Sequence, residues 1–291
     1  MKVLVTGAGG QVATALQKLK SSSAELICLS QAELDITDRD TVRRRMATLD
    51  PDVIINAAAY TAVDKAESED ETEMAVQVNG EAPGYLAEAA YANGARLLHI
   101  STDFVFDGKA GSPYKPDAPT APLGIYGLSK LLGERRALEA SHGQALVLRT
   151  AWVYAANGHN FVRTMLRLMG ERGSVKVVSD QRGSPTWADS VARALWAAVD
   201  KPKFRGIHHW TDAGEASWYD FALAIAAEGR ELGLLKAPVE VFPIATAEYP
   251  TPARRPAYSV LDCGSTTAGL GLTATPWRDN LKKMLLELKH A

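Results

Sequence analysis

Cysteine is scarce in this chain of 291 residues: Cys28 and Cys263 are the only two, and they form no Cys-x-x-Cys pair. This spacing argues against a disulfide framework and against a cysteine-based zinc site. The six histidines include no His-Glu-x-x-His motif, and the neighbours His208 and His209 would point to opposite faces of a predicted strand. We therefore expect no metal site.

Long apolar runs and an excess of one charge are also missing. The longest uninterrupted apolar run, at 221–227, spans seven residues, whereas a membrane-spanning helix needs about 20. Lys and Arg number 32 against 34 Asp and Glu, a net charge of −2, so the surface as a whole does not attract nucleic acid or an anionic membrane. The residues before Gly7 are too few for the apolar core of a signal peptide. These absences predict a cytoplasmic protein that binds neither membrane nor nucleic acid.

What the sequence does contain is an alternation of short β-rich runs and helical stretches. Five strands are predicted in the first half, with helices between them that include a long one at 69–93; the strands lie at Lys2–Thr6, Glu25–Leu29, Val53–Asn56, 97–101 and 145–149. This alternation favours right-handed crossovers and a parallel sheet covered by helices on both faces. We predict an α/β fold with a doubly wound, Rossmann-like parallel sheet in residues 1–155.

The second half, residues 156–291, has a looser pattern. Helices are predicted at 160–170, 187–199, 218–232 and 278–290, and short strands at 175–178, 207–210, 239–242 and 258–261. We predict mainly a smaller α/β substrate domain here, with some segments returning to the first domain. Ligands of doubly wound folds bind beyond the carboxyl ends of the strands, so the residues that follow each strand are the candidates for a site.

A glycine-rich turn follows the first strand and opens a helix. Gly7, Gly10 and Ala13 recur at intervals of three, whereas Val12 stands where the common Gly-x-Gly-x-x-Gly motif has its last glycine. Glycines in this position let backbone N–H groups approach a pyrophosphate at the helix N-terminus. The turn predicts a dinucleotide site; the alternative is a glycine-rich turn without a ligand.

The end of the second strand carries Ser30 and Gln31, where many NAD-selecting folds place an acid for the ribose 2′-hydroxyl. Asp35 comes five residues later, and no Arg stands beside Ser30 to bind a 2′-phosphate. The missing acid favours NADPH slightly and leaves NADH open.

Tyr126 and Lys130 are four residues apart in a predicted helix, so both side chains can address one point. We expect the ammonium to lower the pKa of the phenol, which could then donate a proton to a carbonyl. Thr102, just after the fourth strand, would place a hydroxyl at the same sheet edge. Taken alone, a Tyr–Lys pair at this spacing is usually an ordinary helix face, and Thr102 could be a cap on the following loop. Together with the glycine turn, however, these residues predict a nicotinamide-dependent oxidoreductase.

The chain resembles the extended short-chain dehydrogenase/reductase superfamily and, within it, the dTDP-4-dehydrorhamnose reductases. The most specific segments are the run Asn-Ala-Ala-Ala-Tyr-Thr-Ala-Val-Asp-Lys-Ala-Glu at 56–67 and Pro-Ala-Arg-Arg-Pro at 252–256. Further resembling segments span nearly the whole chain, at 10–12, 33–38, 51–56, 101–108, 149–154 and 180–186.

The resemblance implies reduction of the C4 ketone of dTDP-4-dehydro-β-L-rhamnose to dTDP-L-rhamnose. Tyr126 would be the proton donor, Lys130 would orient the cofactor ribose and tune Tyr126, and Thr102 would hydrogen-bond near the reacting oxygen. The resemblance also assigns residues to the two ligands: the cofactor would be lined by Gly10, Gln11, Val12, Asp35, Ile36, Ala59, Tyr60 and Thr61, and the sugar nucleotide would contact Thr102, Asp103 and Trp152.

Other side chains keep two interpretations. Arg254 and Arg255 suit phosphate oxygens of the substrate, but they could equally clamp the proline-rich loop by ion pairs. Trp152 and Tyr60 could be packing residues instead of ligand contacts.

Two departures from the family pattern remain, the Ser30–Gln31 pair described above and the first helix, and so do two rival functions. Some family members form dimers bridged by a divalent cation with a carboxylate on the first helix, but residues 13–18 offer no acid; we expect a monomer or a homodimer without a bridging metal. The rival functions are another nucleotide-sugar reductase or epimerase and a non-catalytic regulatory subunit that binds NADP, although the latter need not keep Thr102, Tyr126 and Lys130 together.

Overall fold

The computed structural model describes residues 1–22 and 24–290. The strands are β1 Lys2–Thr6, β2 Glu25–Leu29, β3 Val53–Asn56, β4 Arg96–Thr102, β5 Leu146–Thr150, β6 Val153–Tyr154, β7 Ser174–Val178, β8 Arg182–Gly183, β9 Thr186–Trp187, β10 Gly206–His209, β11 Ala216–Ser217 and β12 Glu240–Ile244. The helices are α1 Gln11–Lys18, α2 Arg39–Leu49, α3 Glu69–Val76, α4 Ala82–Ala92, α5 Ile125–Ala140, α6 Phe161–Arg172, α7 Ala188–Val199, α8 Trp218–Glu231, α9 Gly264–Leu270 and α10 Trp277–His290. Within these ranges we find no helix with the length and apolar character needed to span a bilayer.

Six parallel strands form the central sheet in the order β2-β1-β3-β4-β5-β10. The predicted doubly wound parallel sheet is confirmed. Strand β1 is apolar throughout because both faces of the sheet are covered: Val3 and Val5 are buried on one face, and Leu4 is buried on the other. Helices α1 and α7 cover the first face, and α2, α4 and α5 cover the second.

Two segments of the second half belong to this sheet layer. Strand β10 pairs with β5 as the sixth parallel strand, and α7 packs against α1. A separate core joins α6, α8 and α10 with the two-stranded sheet β7–β12, around Phe221, Ile225 and Leu281. The second half therefore contributes to both layers.

Two predicted elements differ from the observed ones. The helix expected at 69–93 is interrupted by a π-helical turn at Gln77–Glu81, because Pro83 has no N–H to bond the carbonyl of Asn79 in α-helical register. Residues 258–261 form no strand but only isolated bridges, Arg182 to Tyr258 and Tyr114 to Leu261. This stretch bonds first to Arg182 of the short strand β8 and then to Tyr114 in a loop, so no neighbouring strand runs beside it long enough to make a ladder.

The chain changes direction in the sheet between β1 and β3. From β1 the chain passes to β2 on one side, whereas β3, β4 and β5 extend the sheet on the other. The loops after β1 and β3 therefore diverge and leave a crevice at the carboxyl edge, where ligands of such sheets bind.

Candidate active site

A cleft of about 1080 Å³ opens at this crevice. It brings together nearly all the predicted site residues, which are Gly7, Gly10, Gln11, Val12, Asp35, Ile36, Ala59, Tyr60, Thr61, Thr102, Asp103, Tyr126, Lys130, Trp152 and Arg255. Ser30 and Arg254 do not line it. Arg254 is exposed.

The glycine turn forms the floor of the cleft. Gly7 adopts φ +74°, and a Cβ there would lie 2.8 Å from both the Cα and the backbone N of Ala58. Only glycine tolerates both this conformation and this approach. No side chain caps α1 at Gly10, so the first N–H groups of the helix, at Gln11 and Val12, stay available beside the cleft.

A buried hydrogen-bond network fixes the two loops of the crevice to each other. Thr6 Oγ1 donates to Asn56 Oδ1 at 2.7 Å, and the backbone N–H of Ala58 donates to the same Asn56 oxygen at 3.2 Å. Asn56 Nδ2 lies 3.0 Å from Nδ1 of the buried His99. Burial lowers the pKa of His99 well below its usual value, so the ring is neutral and can accept this bond.

Asn79, which the sequence analysis does not single out, orients the loop that carries Ala59, Tyr60 and Thr61. Its Oδ1 accepts from the backbone N–H of Tyr60 at 2.9 Å, and its Nδ2 donates to the carbonyl of Tyr60 at 2.9 Å. Asn79 lies in the π-helical turn, so the interruption of the helix positions this side chain. Pro83, four residues later, is the sequence signal that could have indicated it.

The corner after β2 differs from the expectation of a corner without a carboxylate. Glu33 folds back onto Ser30, and its Oε2 accepts from the Ser30 N–H at 2.8 Å and from the Ser30 hydroxyl at 2.6 Å. Asp35 faces the cleft, and its Oδ1 accepts from the N–H and hydroxyl of Thr37 at 2.9 and 2.7 Å. The acid at this corner, Glu33, thus comes four residues after Leu29, the last residue of β2.

Tyr126 and Lys130 lie on one face of α5, beside Thr102. Burial raises the pKa of Tyr126 to about 12; a hydrogen-bonding interaction with Thr102 lowers it, and the charge of Asp103 raises it. Burial lowers the pKa of Lys130 to about 8, opposed by the charge of Glu134. The expected lowering of the phenol pKa by Lys130 is therefore wrong for this structure, since desolvation dominates and the ammonium donates to the carbonyl of Ile100 at 2.6 Å.

Asp103 is buried beside Thr102 and accepts from its hydroxyl at 3.0 Å through Oδ1. Its second oxygen, Oδ2, is buried without a hydrogen-bond partner among the described residues. Burial raises the pKa of Asp103 to about 6. Side-chain hydrogen bonds from Ser259 and Thr102 oppose this shift.

The face of α5 that carries Tyr126 and Lys130 rests on a buried ion pair that sequence reasoning missed. Glu134, one turn beyond Lys130, receives two bonds from Arg149 on β5, at 2.8 and 2.7 Å, and one from the Ser101 hydroxyl at 2.6 Å. Both partners of the pair are almost fully buried. Since the three residues of this network come from α5, β5 and β4, the network fixes α5 against both strands.

The far wall of the cleft is aromatic. Trp152 stacks on Trp218 with ring centroids 3.5 Å apart and planes within 5°, and Phe161 packs against Trp218 at 4.6 Å. Trp152 adopts φ +48°, an uncommon conformation for a bulky side chain. A Cβ on Gly183 would lie 2.5 Å from the Trp152 ring, so this glycine makes room for the stack.

Arg255 reaches the same wall and is held by an ion pair. Its two terminal nitrogens donate to Asp64 at 3.0 and 2.7 Å, and Nη1 also donates to the carbonyl of Ala253 at 3.1 Å. The structure therefore shows the loop clamp for Arg255, with the side chain still facing the cleft.

A doubly wound sheet with a glycine turn at its switch point and a Tyr–Lys pair on the neighbouring helix defines a short-chain dehydrogenase/reductase of the extended type. The family model described as "RmlD substrate binding domain" matches residues 1–290. The dTDP-4-dehydrorhamnose reductase of Burkholderia thailandensis is 45% identical over 288 residues, which cover 96% of each chain. The chain belongs to the dTDP-4-dehydrorhamnose reductase family.

Solved structures of relatives agree with this assignment. A dTDP-4-dehydrorhamnose reductase from Clostridium acetobutylicum superposes with a TM-score of 0.91 at 39% identity, covering 99% of this chain and all of that one. The enzyme of that name from Bacillus anthracis, solved in complex with NADP, has a TM-score of 0.91 at 33% identity, covering 98% of this chain and 99% of its own.

Proposed function

We propose that this chain is a dTDP-4-dehydrorhamnose reductase. It reduces the C4 ketone of dTDP-4-dehydro-β-L-rhamnose to give dTDP-L-rhamnose, a precursor of cell-surface polysaccharide, with NADPH as the reductant and NADH as a second possible one. The observation that carries the proposal is the meeting of Thr102, Tyr126 and Lys130 with the glycine turn in one cleft.

The cleft fits a dinucleotide. The Gly7 approach to Ala58, which a Cβ would close, leaves backbone N–H groups and the start of α1 to face a pyrophosphate. Gln11, Val12, Asp35, Ile36 and the loop at 59–61 line the remainder of this half. When bound, the nicotinamide supplies a hydride.

Tyr126 donates the proton that the reduced ketone oxygen needs. With a pKa of about 12, the phenol carries its proton at neutral pH and is a donor and not a base. Lys130, with a pKa of about 8, is mostly charged at neutral pH and stabilises negative charge that develops on the ketone oxygen and the phenol. Thr102 supports the same oxygen, while Asp103 and Trp152 hold the sugar.

The first experiment follows absorbance of the reduced nicotinamide with purified protein, dTDP-4-dehydro-β-L-rhamnose and either NADPH or NADH. Loss of absorbance that depends on the sugar nucleotide, with formation of dTDP-L-rhamnose, is expected. Conversion of the substrate to an isomeric sugar nucleotide, with no net oxidation of cofactor, would indicate an epimerase instead. Binding of cofactor without turnover on any sugar nucleotide would favour a regulatory subunit.

The oligomeric state of the enzyme and its cellular location belong to the same proposal. We expect a cytoplasmic enzyme, since it draws on NADPH and a nucleotide sugar, and a monomer or a homodimer without a bridging metal. Light scattering with and without a chelator measures the oligomeric state, and dissociation by the chelator would contradict this expectation.

A further inference from the structure

Tyr126, Lys130 and Glu134 recur at every fourth position of α5, so their side chains share one face of the helix. The first two lie in the cleft beside the end of β4. Tyr126 interacts there with Thr102. The Lys130 ammonium donates to the carbonyl of Ile100 at 2.6 Å. The position of α5 relative to β4 therefore decides whether the phenol, the ammonium and the threonine hydroxyl meet at one ketone oxygen.

Glu134 makes the third contact between this face and β4, one that lies beneath the cleft. Its Oε1 accepts from the Ser101 hydroxyl at 2.6 Å and from Nε of Arg149 at 2.8 Å, and its Oε2 accepts from Nη2 of Arg149 at 2.7 Å. Ser101 and Arg149 are register partners in the parallel strands β4 and β5, so both side chains leave the sheet on the same face. The residues Ser101, Glu134 and Arg149 are 3%, 1% and 2% exposed. Short, charge-assisted bonds of this kind hold their partners in a narrow geometry.

The end of β4 needs such support because it extends beyond β3. Strand β3 pairs with β4 only as far as His99, whereas β4 continues to Thr102. Over residues 100–102 the strand lies beside β5 and under α5. These are the same three residues that contact the face of α5 described above, so a shift of the helix along β4 would move every partner of the reacting oxygen at once.

We propose that Glu134 is a positioning residue: its bonds to Ser101 and Arg149 hold the proton-donor face of α5 in register with the end of β4. Glu134 does not line the cleft, so it acts through the residues that do. Its loss should slow the transfer of hydride and proton and leave the binding of both ligands unchanged, because a displacement of about 1 Å can cost a reaction about 100-fold in rate. The inference rests on the proposed function, which makes Tyr126 the proton donor.

Ser101→Ala tests this link without unpairing a buried charge. The substitution removes the bond between Glu134 and β4 and keeps the ion pair with Arg149. We expect kcat for NADPH oxidation with dTDP-4-dehydro-β-L-rhamnose to fall about tenfold, by a displacement smaller than 1 Å. The KM for the sugar nucleotide and the dissociation constant of NADPH should stay unchanged.

Ser141→Ala is the matched control, because Ser141 is a buried serine at the other end of α5. Its hydroxyl accepts from the N–H of Ala145 at 3.0 Å and donates to the carbonyl of Leu138 at 3.2 Å. This variant should lose as much stability in urea unfolding as Ser101→Ala does, and it should keep the kcat of the unmodified protein. The pair thus separates positioning of the reacting groups from a general loss of stability.

Glu134→Gln provides a second arm. It removes the charge that pairs with Arg149, so we expect a larger fall in kcat, about 100-fold, again without a change in ligand binding. If Glu134 acts through Ser101, the two losses are not additive, and the double variant should be no slower than Glu134→Gln alone. Should Glu134→Gln fail to fold, the comparison of Ser101→Ala with Ser141→Ala decides the question by itself.

Three results would overturn the assignment of Glu134 and leave the proposed function intact. They are an unchanged kcat in Ser101→Ala, an equal fall of kcat in Ser141→Ala, and a loss in Ser101→Ala that appears as weaker ligand binding instead of slower turnover. Failure of the unmodified protein to oxidise NADPH with this sugar nucleotide would overturn the proposed function and the assignment together.

Discussion

The two halves of the cleft differ in the groups that line them: one is formed mostly by backbone and the other by side chains. The half at the switch point is mostly backbone: the glycine turn, the start of α1 and the loop held by Asn56 and Asn79. The opposite half is side chains drawn from distant parts of the sequence, such as Trp152 on Trp218 and Arg255 on Asp64. Under the proposed function, the backbone-built half would recognise features that all dinucleotides share. The side-chain-built half can be altered residue by residue and would therefore set which sugar binds.

Tyr126 stands where the two halves meet, and its loss should have the largest effect. Tyr126→Phe removes the donated proton and keeps the ring that packs against Phe104. We expect turnover to fall by about 10²–10⁴-fold, with cofactor dissociation constants unchanged. Tyr91→Phe, at an exposed tyrosine, is the control. Full activity of Tyr126→Phe in steady-state assays would refute the assigned proton donor.

Adding a single methyl group at Gly7 is the most direct way to disrupt the backbone-built half. Gly7→Ala forces a Cβ to 2.8 Å from the Ala58 backbone, whereas Gly9, with φ +88°, has nothing within 4 Å of that position. Both variants bear the left-handed penalty of roughly 1–2 kcal/mol, but only Gly7→Ala adds a clash of roughly 1–3 kcal/mol.

Urea unfolding and cofactor titration measure the difference between these variants. Gly7→Ala should be the less stable protein and should bind cofactor more weakly than Gly9→Ala. Equal losses in the two would show that conformation alone, and not the close approach, requires glycine at position 7.

The same contrast explains how far the sequence could be read. The sheet, the glycine turn and the Tyr126–Lys130 pair follow from local patterns, because their residues are close in sequence and their periodicity is strong. Glu33 on Ser30 was missed since a carboxylate was sought at the strand end, not on the turn that folds back to it. Glu134 with Arg149, and Arg255 with Asp64, join residues 15 and 191 positions apart. No local pattern encodes such pairs.

The direction of the Tyr126 pKa was missed for a related reason. The spacing of Tyr126 and Lys130 predicts their shared face, but the effect of the ammonium depends on its other partners and on burial. The carbonyl of Ile100 takes the Lys130 ammonium, and desolvation of the phenol then dominates. Burial is a property of the whole fold and cannot be read from a four-residue spacing.

Asp103, on the side-chain-built half, gives a pH test of that burial. Its pKa is raised from 3.8 to about 6, so the folded protein holds this proton more tightly than the unfolded chain does. The associated stability is present below about pH 4 and is lost as the pH rises to about 6. At about 1.4 kcal/mol per pKa unit, the loss is on the order of 2–3 kcal/mol.

Asp103→Asn should remove this dependence. Measured by urea unfolding, the variant should gain in stability relative to the unmodified protein between pH 4 and 6, and Asp212, which is also buried with a raised pKa, cancels in the comparison. The exposed Asp117→Asn is the control. A constant stability difference across that range would mean that Asp103 is not titrating there.

The smallest predicted effect separates the two halves most cleanly. Trp152→Asn removes the indole that stacks on Trp218 and keeps a residue that tolerates the left-handed φ of +48° at this position. We expect the KM for the sugar nucleotide to rise about tenfold, a loss of about 1.4 kcal/mol, while the dissociation constants of NADPH and NADH stay unchanged. Trp218→Phe, which keeps an aromatic partner, should lie between the variant and the unmodified protein. If Trp152→Asn weakened cofactor and sugar nucleotide equally, the two halves of the cleft would not be independent, and specificity for the sugar would have to come from Arg255 and Asp103.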